Sequence, residues 1–267
     1  VIKDIIKNHF LGRTRYQPFW ERLHSLSLSG MNFGCSAATL DEGERWVIDH
    51  VKKKLTGTEP VVVFDVGANI GTYSLEILEG FGDSVRLFCF EPSQESHDHL
   101  TVTLSKYKNV ECFNFGFGEM EEAATLYSYV GQSGLSSMYD RRIFNQNGSD
   151  KNQKRTEEVN LKTLDSFCTQ RGISHIGLLK MDVEGHEFMA LKGGQKLINS
   201  GSIDFIQFEF GGTYIDSRIF FQDLCSLFGD NYEIYRILKD GLALVDYDSA
   251  KHEIFLYSNY LAVSCRL

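Results

Sequence analysis

The stretch "VVVFDVGANIGTYSLEIL", Val61 to Leu78, ends an apolar run on a carboxylate, Asp65. Gly67, Asn69 and Gly71 follow it, ahead of a segment with helical spacing. Small residues let backbone approach a ligand closely, and the helix behind them presents free N–H groups. In "VRLFCFE" a second apolar run closes on Glu91, 26 residues after Asp65. An acidic side chain at that place accepts both hydroxyls of a ribose, which any adenosine ligand offers. A third set of candidates is packed into "KMDVEGHE", where Asp182, Glu184, His186 and Glu187 fall within six residues. These are residues able to hold or accept a proton.

Asp65 narrows the ligand. A dinucleotide wants G-x-G-x-x-G to seat its pyrophosphate, whereas the spacing here is Gly67-x-x-x-Gly71. The Asp65 carboxylate would repel a pyrophosphate. It suits a ligand carrying an ammonium and a sulfonium, and S-adenosylmethionine is such a ligand. Two rivals share the same sheet. An NAD-type oxidoreductase would need the missing third glycine. A non-catalytic module would be expected to have lost Asp65 or Glu91, and both are present.

The elements that position these residues follow from periodicity. From Pro60 the pattern alternates. "VVVFDV", "VRLFCFE", "NVECFNFG", "IGLLKMD" and "IDFIQFEF" read as strands. "TYSLEILEG", "QESHDHLTVTLSKY", the segment opened by "LKTLDSFC" and "EFMALKGG" read as helices. Apolar strands separated by helices make a parallel sheet covered on both faces. Phe220, Leu224 and Leu227 give a further helix its stripe. "YEIYRIL", "ALVDY" and "EIFLYSNYLAVS" then finish the chain as strands without helices between them, which predicts an antiparallel end to the sheet.

Residues 119–160 are polar and break the rhythm, so Gly131 to Asn160 reads as an insertion and candidate lid. Ahead of Pro60, Phe19, Leu23 and Leu26 stripe one helix and Ile48, Val51 and Leu55 a second. Both are expected to pack on the main domain. The division is residues 1–58 as a helical extension and 59–267 as the ligand-binding domain.

Bulk composition bounds the rest. The 267 residues are 42% hydrophobic and 13% aromatic with only 3 prolines, enough for one large core and little linker. The formal charge of -9 speaks against a nucleic-acid partner held by phosphate contacts. Residues 1–25 run the other way, with five basic against two acidic side chains, read as a solvated helix face. Six cysteines without a CxxC pair predict reduced thiols, no structural zinc and a cytoplasmic protein. No apolar run approaches the roughly 18 residues of a membrane span, and no leader pattern is visible at the first residue, which is not Met. Asn147-Gly148-Ser149 reads as a loop.

"FDVGANIGTYS", "FEPSQ", "VNLKTLDSF", "LLKMDVEGHEFMALKGG" and "FIQFEF" occur in this order over about residues 61–263. Together they resemble the FkbM-type family of S-adenosylmethionine-dependent methyltransferases, most specifically through "KMDVEGHE". The resemblance implies a doubly wound α/β fold, a mostly parallel, seven-stranded Rossmann-like sheet with an antiparallel last strand. It implies methylation of hydroxyls on sugars, polyketides and related natural products, so that the partner is a small hydroxyl-bearing acceptor. It also implies site roles. Asp65, Gly67, Asn69 and Gly71 line the methionine end of the cofactor. Glu91 holds the ribose with Pro92 and Ser93 beside it. Asn114 and Phe115 border the adenine, and Asp182 faces the methyl group.

Methyl transfer to a hydroxyl requires in-line alignment and removal of one proton. His186 and Asp182 are the first candidates for that base, then Glu184 and Glu209. His186 has the intrinsic pKa nearest neutrality. It also reads as a plain residue of a first helical turn. Glu187 suits the positive end of the same helix, and His175, ahead of a strand, reads as structural. The expected site holds no metal, with Mg²⁺ between Asp182 and Glu209 as the minor alternative. Tyr139, Arg141 and Arg142 lie where a lid would touch substrate, and the two arginines also read as solvated loop residues.

Overall fold

The computed structural model describes residues 10–34, 37–55, 57, 60–129, 136–141 and 154–267. Cys35, Arg142 and the Asn147 tripeptide lie outside them. Helix α1, Gln17–Gly30, starts on Pro18, whose fixed φ suits a first turn. Its stripe does not pack as expected: Phe19, Leu23 and Leu26 are exposed, and Leu28 on the opposite side is buried. Its end is tied down by Phe33, which is buried, and by Asn32 Nδ2, which donates to the Ile237 carbonyl at 2.9 Å. Helix α2, Ala37–Lys54, buries Val47, Ile48 and Val51 in the core.

The main sheet follows. Strand β1 is Val61–Val66, α3 Thr72–Phe81, β2 Val85–Phe90, α4 Gln94–Leu104 and β3 Val110–Phe113. Here the chain departs from the sequence reading. "NVECFNFG" is not one strand, because Asn114 turns its amide onto the carbonyls of Glu91 and Pro92, both at 3.0 Å. The next pair, β4 Gly116–Phe117, leaves for a second sheet with β5 Glu122–Tyr129 and β6 Lys154–Lys162, in the order β4-β6-β5. The insertion is thus carried on an antiparallel ribbon, β5 against β6.

The chain then returns to the main sheet through α5 Leu164–Arg171, capped by the Thr163 side chain. Strand β7 Ile176–Met181, α6 Glu187–Lys192, α7 Gln195–Asn199, β8 Ile203–Phe210, α8 Thr213–Ser217 and α9 Phe221–Phe228 follow. Every residue of β7 and of β8 is buried, as central strands covered on both faces must be. In α9 the buried face is Phe221, Leu224 and Phe228, one residue off the expected stripe, and Phe220 is exposed at the N-cap.

Strand β9 is Tyr232–Leu238, β10 Gly241–Leu244, α10 Ser249–His252 and β11 Ser258–Ser264. The sheet order is β10-β9-β11-β8-β7-β1-β2-β3. The inner pairs are parallel, and β11 inserts antiparallel to both β8 and β9, as predicted, but α10, capped by the Asp248 side chain, stands between β10 and β11 where no helix was expected. The expected seven strands gain an eighth, β10, which folds back on β9 through the two-residue loop Lys239-Asp240.

Candidate active site

The carboxyl ends of β1, β2 and β7 meet at one turn. Gly67 and Ala68 donate their amides to the Phe90 carbonyl at 2.9 and 3.1 Å, which ties the β1 turn to the end of β2. Gly67 has φ +78, and a Cβ placed on it would lie 1.9 Å from the Asp182 carbonyl oxygen. Glycine is therefore needed to let the ends of β1 and β7 touch. Gly71, at φ +92, serves helix packing instead, since its Cβ would press on Leu100 of α4 at 3.0 Å.

Glu91 braces the same turn. Its Oε2 accepts from the Asn69 amide and its Oε1 from the Ser93 amide, both at 2.9 Å. Burial pushes its carboxyl up to about 7, against the pull of those two amides. Asp65 is fully buried beneath the turn. Its Oδ2 accepts from the Ser74 hydroxyl at 2.6 Å, and its Oδ1 lies 3.4 Å from Lys180 Nζ. Burial works against the Lys180 charge, but the carboxylates of Asp65, Asp182 and Glu44 outweigh it and hold its pKa above the ordinary lysine value. Asp65 is thus a buried partner of Lys180, its direct neighbour across β1 and β7.

A small cavity of about 80 Å³ opens over these strand ends. Of the expected site residues, Gly67, Asn69, Glu91, Pro92, Asp182 and His186 line it, and Glu184 joins them. Asp65, Gly71, Ser93, Asn114 and Phe115 are not in its wall. Phe115 turns instead into a phenylalanine cluster, 5.5 Å from Phe90 and 5.8 Å from Phe167 between ring centroids. Gly116 and Phe117 line the cavity, as do Leu126, Ser136 and Met138 from the insertion.

The turn from β7 into α6 carries the proton-handling groups. Glu184 and Gly185 both take positive φ, 53° and 95°. Glu187 is fully buried and accepts from the amides of Val183 and Gly185, each at 3.0 Å, the turn role expected of it. Burial pushes Glu187 up to about 7 and Glu184 up to about 8, with Asp182 adding to both and Arg141 pulling Glu184 back. Glu209, at the end of β8, is raised by burial and then by Asp182, Glu184 and Glu187. His186 is depressed to about 4 by burial, so its ring is neutral at physiological pH. Its Nδ1 lies 3.2 Å from the Tyr139 hydroxyl, and its Nε2 is buried with no partner among the described residues. His175 pairs with Asp204 at 2.7 Å, away from the cavity wall.

Among the described residues no group of three His, Cys, Asp or Glu side chains is arranged to hold a metal ion. The unpaired Oδ1 of Asn69 and the spare lone pairs of Glu91 fit a ligand that offers ammonium and ribose donors. A family model described as the methyltransferase FkbM domain matches residues 65–239. The chain belongs to the FkbM methyltransferase family. The match runs from Asp65 through the β7–α6 turn to the end of β9, so it contains the whole cavity floor of this FkbM protein.

Two curated relatives match about half of the chain. The AMB antimetabolite synthetase AmbE of Pseudomonas aeruginosa is 29% identical over 160 residues, 49% of this chain and 8% of that one. Methyltransferase 1 of Beauveria bassiana is 28% identical over 143 residues, 49% of this chain and 57% of that one. The match thus spans less than two thirds of either relative. Solved structures to which the chain is similar include a SAM-dependent methyltransferase of Agrobacterium tumefaciens (9% identity, 86% of this chain and 63% of that one, TM-score 0.43). A precorrin-6y C5,15-methyltransferase of Geobacter metallireducens is another (9% identity, 82% and 88%, TM-score 0.39). The family and its fold imply S-adenosylmethionine as cofactor. Among the described residues no helix is long and apolar enough to cross a membrane.

Proposed function

We propose that this FkbM methyltransferase methylates a hydroxyl oxygen of a small molecule, a sugar, polyketide or related natural product. The observation that carries the reading is His186, a neutral imidazole with an unpaired buried Nε2, lining the same cavity as Glu91, Asn69 and Asp182. The name of AmbE, an antimetabolite synthetase, supports a natural-product setting.

S-adenosylmethionine supplies a methyl group on a sulfonium, already a good leaving group. Glu91 accepts the ribose hydroxyls with the lone pairs left over from the Asn69 and Ser93 amides. Asn69 Oδ1 accepts from the ammonium. Asp182 positions the methyl donor or the acceptor at the end of β7. His186 takes the hydroxyl proton at Nε2. Alignment of this kind contributes ~7–11 kcal/mol in favourable cases, and a general base adds ~10²–10⁴-fold.

Binding is tested by melting. S-adenosylhomocysteine should raise Tm because it binds only the folded state, and NADH should not. A shift with NADH and none with S-adenosylhomocysteine would return the protein to the oxidoreductase reading. The acceptor is tested with methyl-labelled cofactor against panels of sugar and polyketide alcohols and of matched amines. Label on the amines alone would overturn O-methylation.

A further inference from the structure

Residues 136–141 lie across the β7–α6 turn, and alternate residues make the contacts. Ser137 pairs with Tyr127 through two backbone hydrogen bonds of 2.8 and 2.9 Å, and its Oγ donates to the Glu184 carbonyl at 2.8 Å. Two residues on, the Tyr139 hydroxyl reaches His186 Nδ1. Two further, Arg141 Nη1 donates to Glu184 Oε2 at 3.1 Å, with both side chains largely buried. A period of two is that of extended chain. One face of this short strap is therefore committed to Glu184 and His186.

The bond from Tyr139 has a direction. The His186 ring is neutral, so one of its nitrogens carries the hydrogen. If Tyr139 donated to Nδ1, the hydrogen would sit on Nε2, a buried N–H with no acceptor among the described residues. Orphaned buried N–H groups are rare, whereas bare acceptors are better tolerated. The reverse arrangement lets Nδ1–H donate to the Tyr139 oxygen and leaves a lone pair on Nε2. Opposite that nitrogen stands Gly118, where a Cβ would come within 3.5 Å.

We infer that Tyr139 is a positioning residue: it accepts the Nδ1 proton of His186 and so fixes Nε2 as the proton acceptor of the ring. The inference rests on the proposed role of His186 as base. It makes the base conditional on the strap. An imidazole lacking such a partner carries its hydrogen mainly on Nε2, where it cannot take a proton from a substrate. Residues 137–141, seated on the turn through Ser137, Tyr139 and Arg141, therefore select the competent tautomer.

Nitrogen-15 NMR of histidine-labelled protein reads the tautomer directly, without turnover. The wild type should show His186 as Nδ1–H. Tyr139→Phe should shift the hydrogen to Nε2, lower kcat by about tenfold, the reach of one hydrogen bond, and leave the Kd of S-adenosylhomocysteine unchanged. Nε2–H in the wild type overturns the inference. So does an Nδ1–H signal that persists in Tyr139→Phe, since Tyr139 then sets nothing. Failure of the base reading itself looks different: His186→Ala would keep its kcat while the tautomer responded to Tyr139 as expected.

Discussion

Glu91 shows how one side chain can serve fold and ligand together. It sits at a strand end, yet both of its oxygens are engaged by amides of two different loops. Its carboxyl titrates near 7 because burial opposes the charge. Ribose hydroxyls donate best to the ionised form, so S-adenosylhomocysteine should bind more weakly as pH falls through 7, by up to about tenfold per pH unit. Glu91→Gln should remove that dependence and cost about 1.5–3 kcal/mol of affinity at pH 8. Calorimetric titrations at pH 6, 7 and 8 would take Glu91 out of the site if both proteins gave one constant Kd. His186 is predicted to behave otherwise. With its pKa depressed to about 4 it is neutral throughout the neutral range, so a limb near pH 6.5, natural for an exposed histidine, should be missing from kcat. His186→Ala should lower kcat by ~10²–10⁴-fold, and a variant keeping more than about a tenth of the activity would refute the assignment. Glu91, Asn69, Asp182 and His186 were all legible in the sequence, because each stands at a strand end or in the turn beyond it. Lys180 was not. It looks like one polar residue in an apolar strand, and only the pairing of β1 with β7 shows what it neutralises.

That pairing belongs to the scale of elements, where register decides chemistry. Asp65 and Lys180 are direct neighbours on parallel strands, and Lys180 Nζ also lies 3.6 Å from Asp182. Local periodicity announces two strands but says nothing of which residues face each other across them. Lys180→Met should destabilise the protein by about 3–5 kcal/mol, because it leaves a buried carboxylate without its partner. The double variant Asp65→Asn with Lys180→Met should regain most of the loss, as seen in the urea midpoint at constant m. Additive losses would mean that the two groups do not act as a pair. The other elements misread from sequence have similar causes. In α9, Phe220 and Phe221 are adjacent, and composition cannot say which one turns inward. The strap was legible only as a polar insertion. Its contacts alternate Ser137, Tyr139, Arg141, and no apolar residue marks that face. In α1 the apolar stripe is real, but it is the opposite side that reaches the core.

At the scale of the whole molecule, the unusual feature is how many carboxyls the fold buries near one cavity. Glu91 and Glu187 are pushed up to about 7, Glu184 to about 8, and Glu209 is raised as well, each first of all by burial. In the unfolded chain such groups titrate near 4.5. Between that value and the folded value the native state binds more protons than the unfolded state, so stability falls as pH rises. The contribution is fully present below about 4.5 and is lost as pH climbs through 7 to 8. His186 acts in the opposite sense. Its folded value of about 4 lies below the unfolded 6.5, so its contribution is present above 6.5 and is lost as pH falls toward 4. The formal charge of -9 adds self-repulsion that also eases on acidification. Carboxyls outnumber the histidine, and from pH 8.5 down to 6.5 nothing among these groups opposes them. The protein without cofactor should therefore melt several degrees higher at pH 6 than at pH 8.5, with the gain flattening below 6 where His186 begins to charge in the unfolded state. Saturating S-adenosylhomocysteine should narrow the difference, since it holds Glu91 ionised and binds more tightly at the alkaline end. Differential scanning calorimetry across that range, with and without the ligand, checks both parts. A Tm that rises steadily from pH 6 to 8.5 in the free protein would mean that these carboxyls are ionised within the fold and that the cavity is far better solvated than its burial implies.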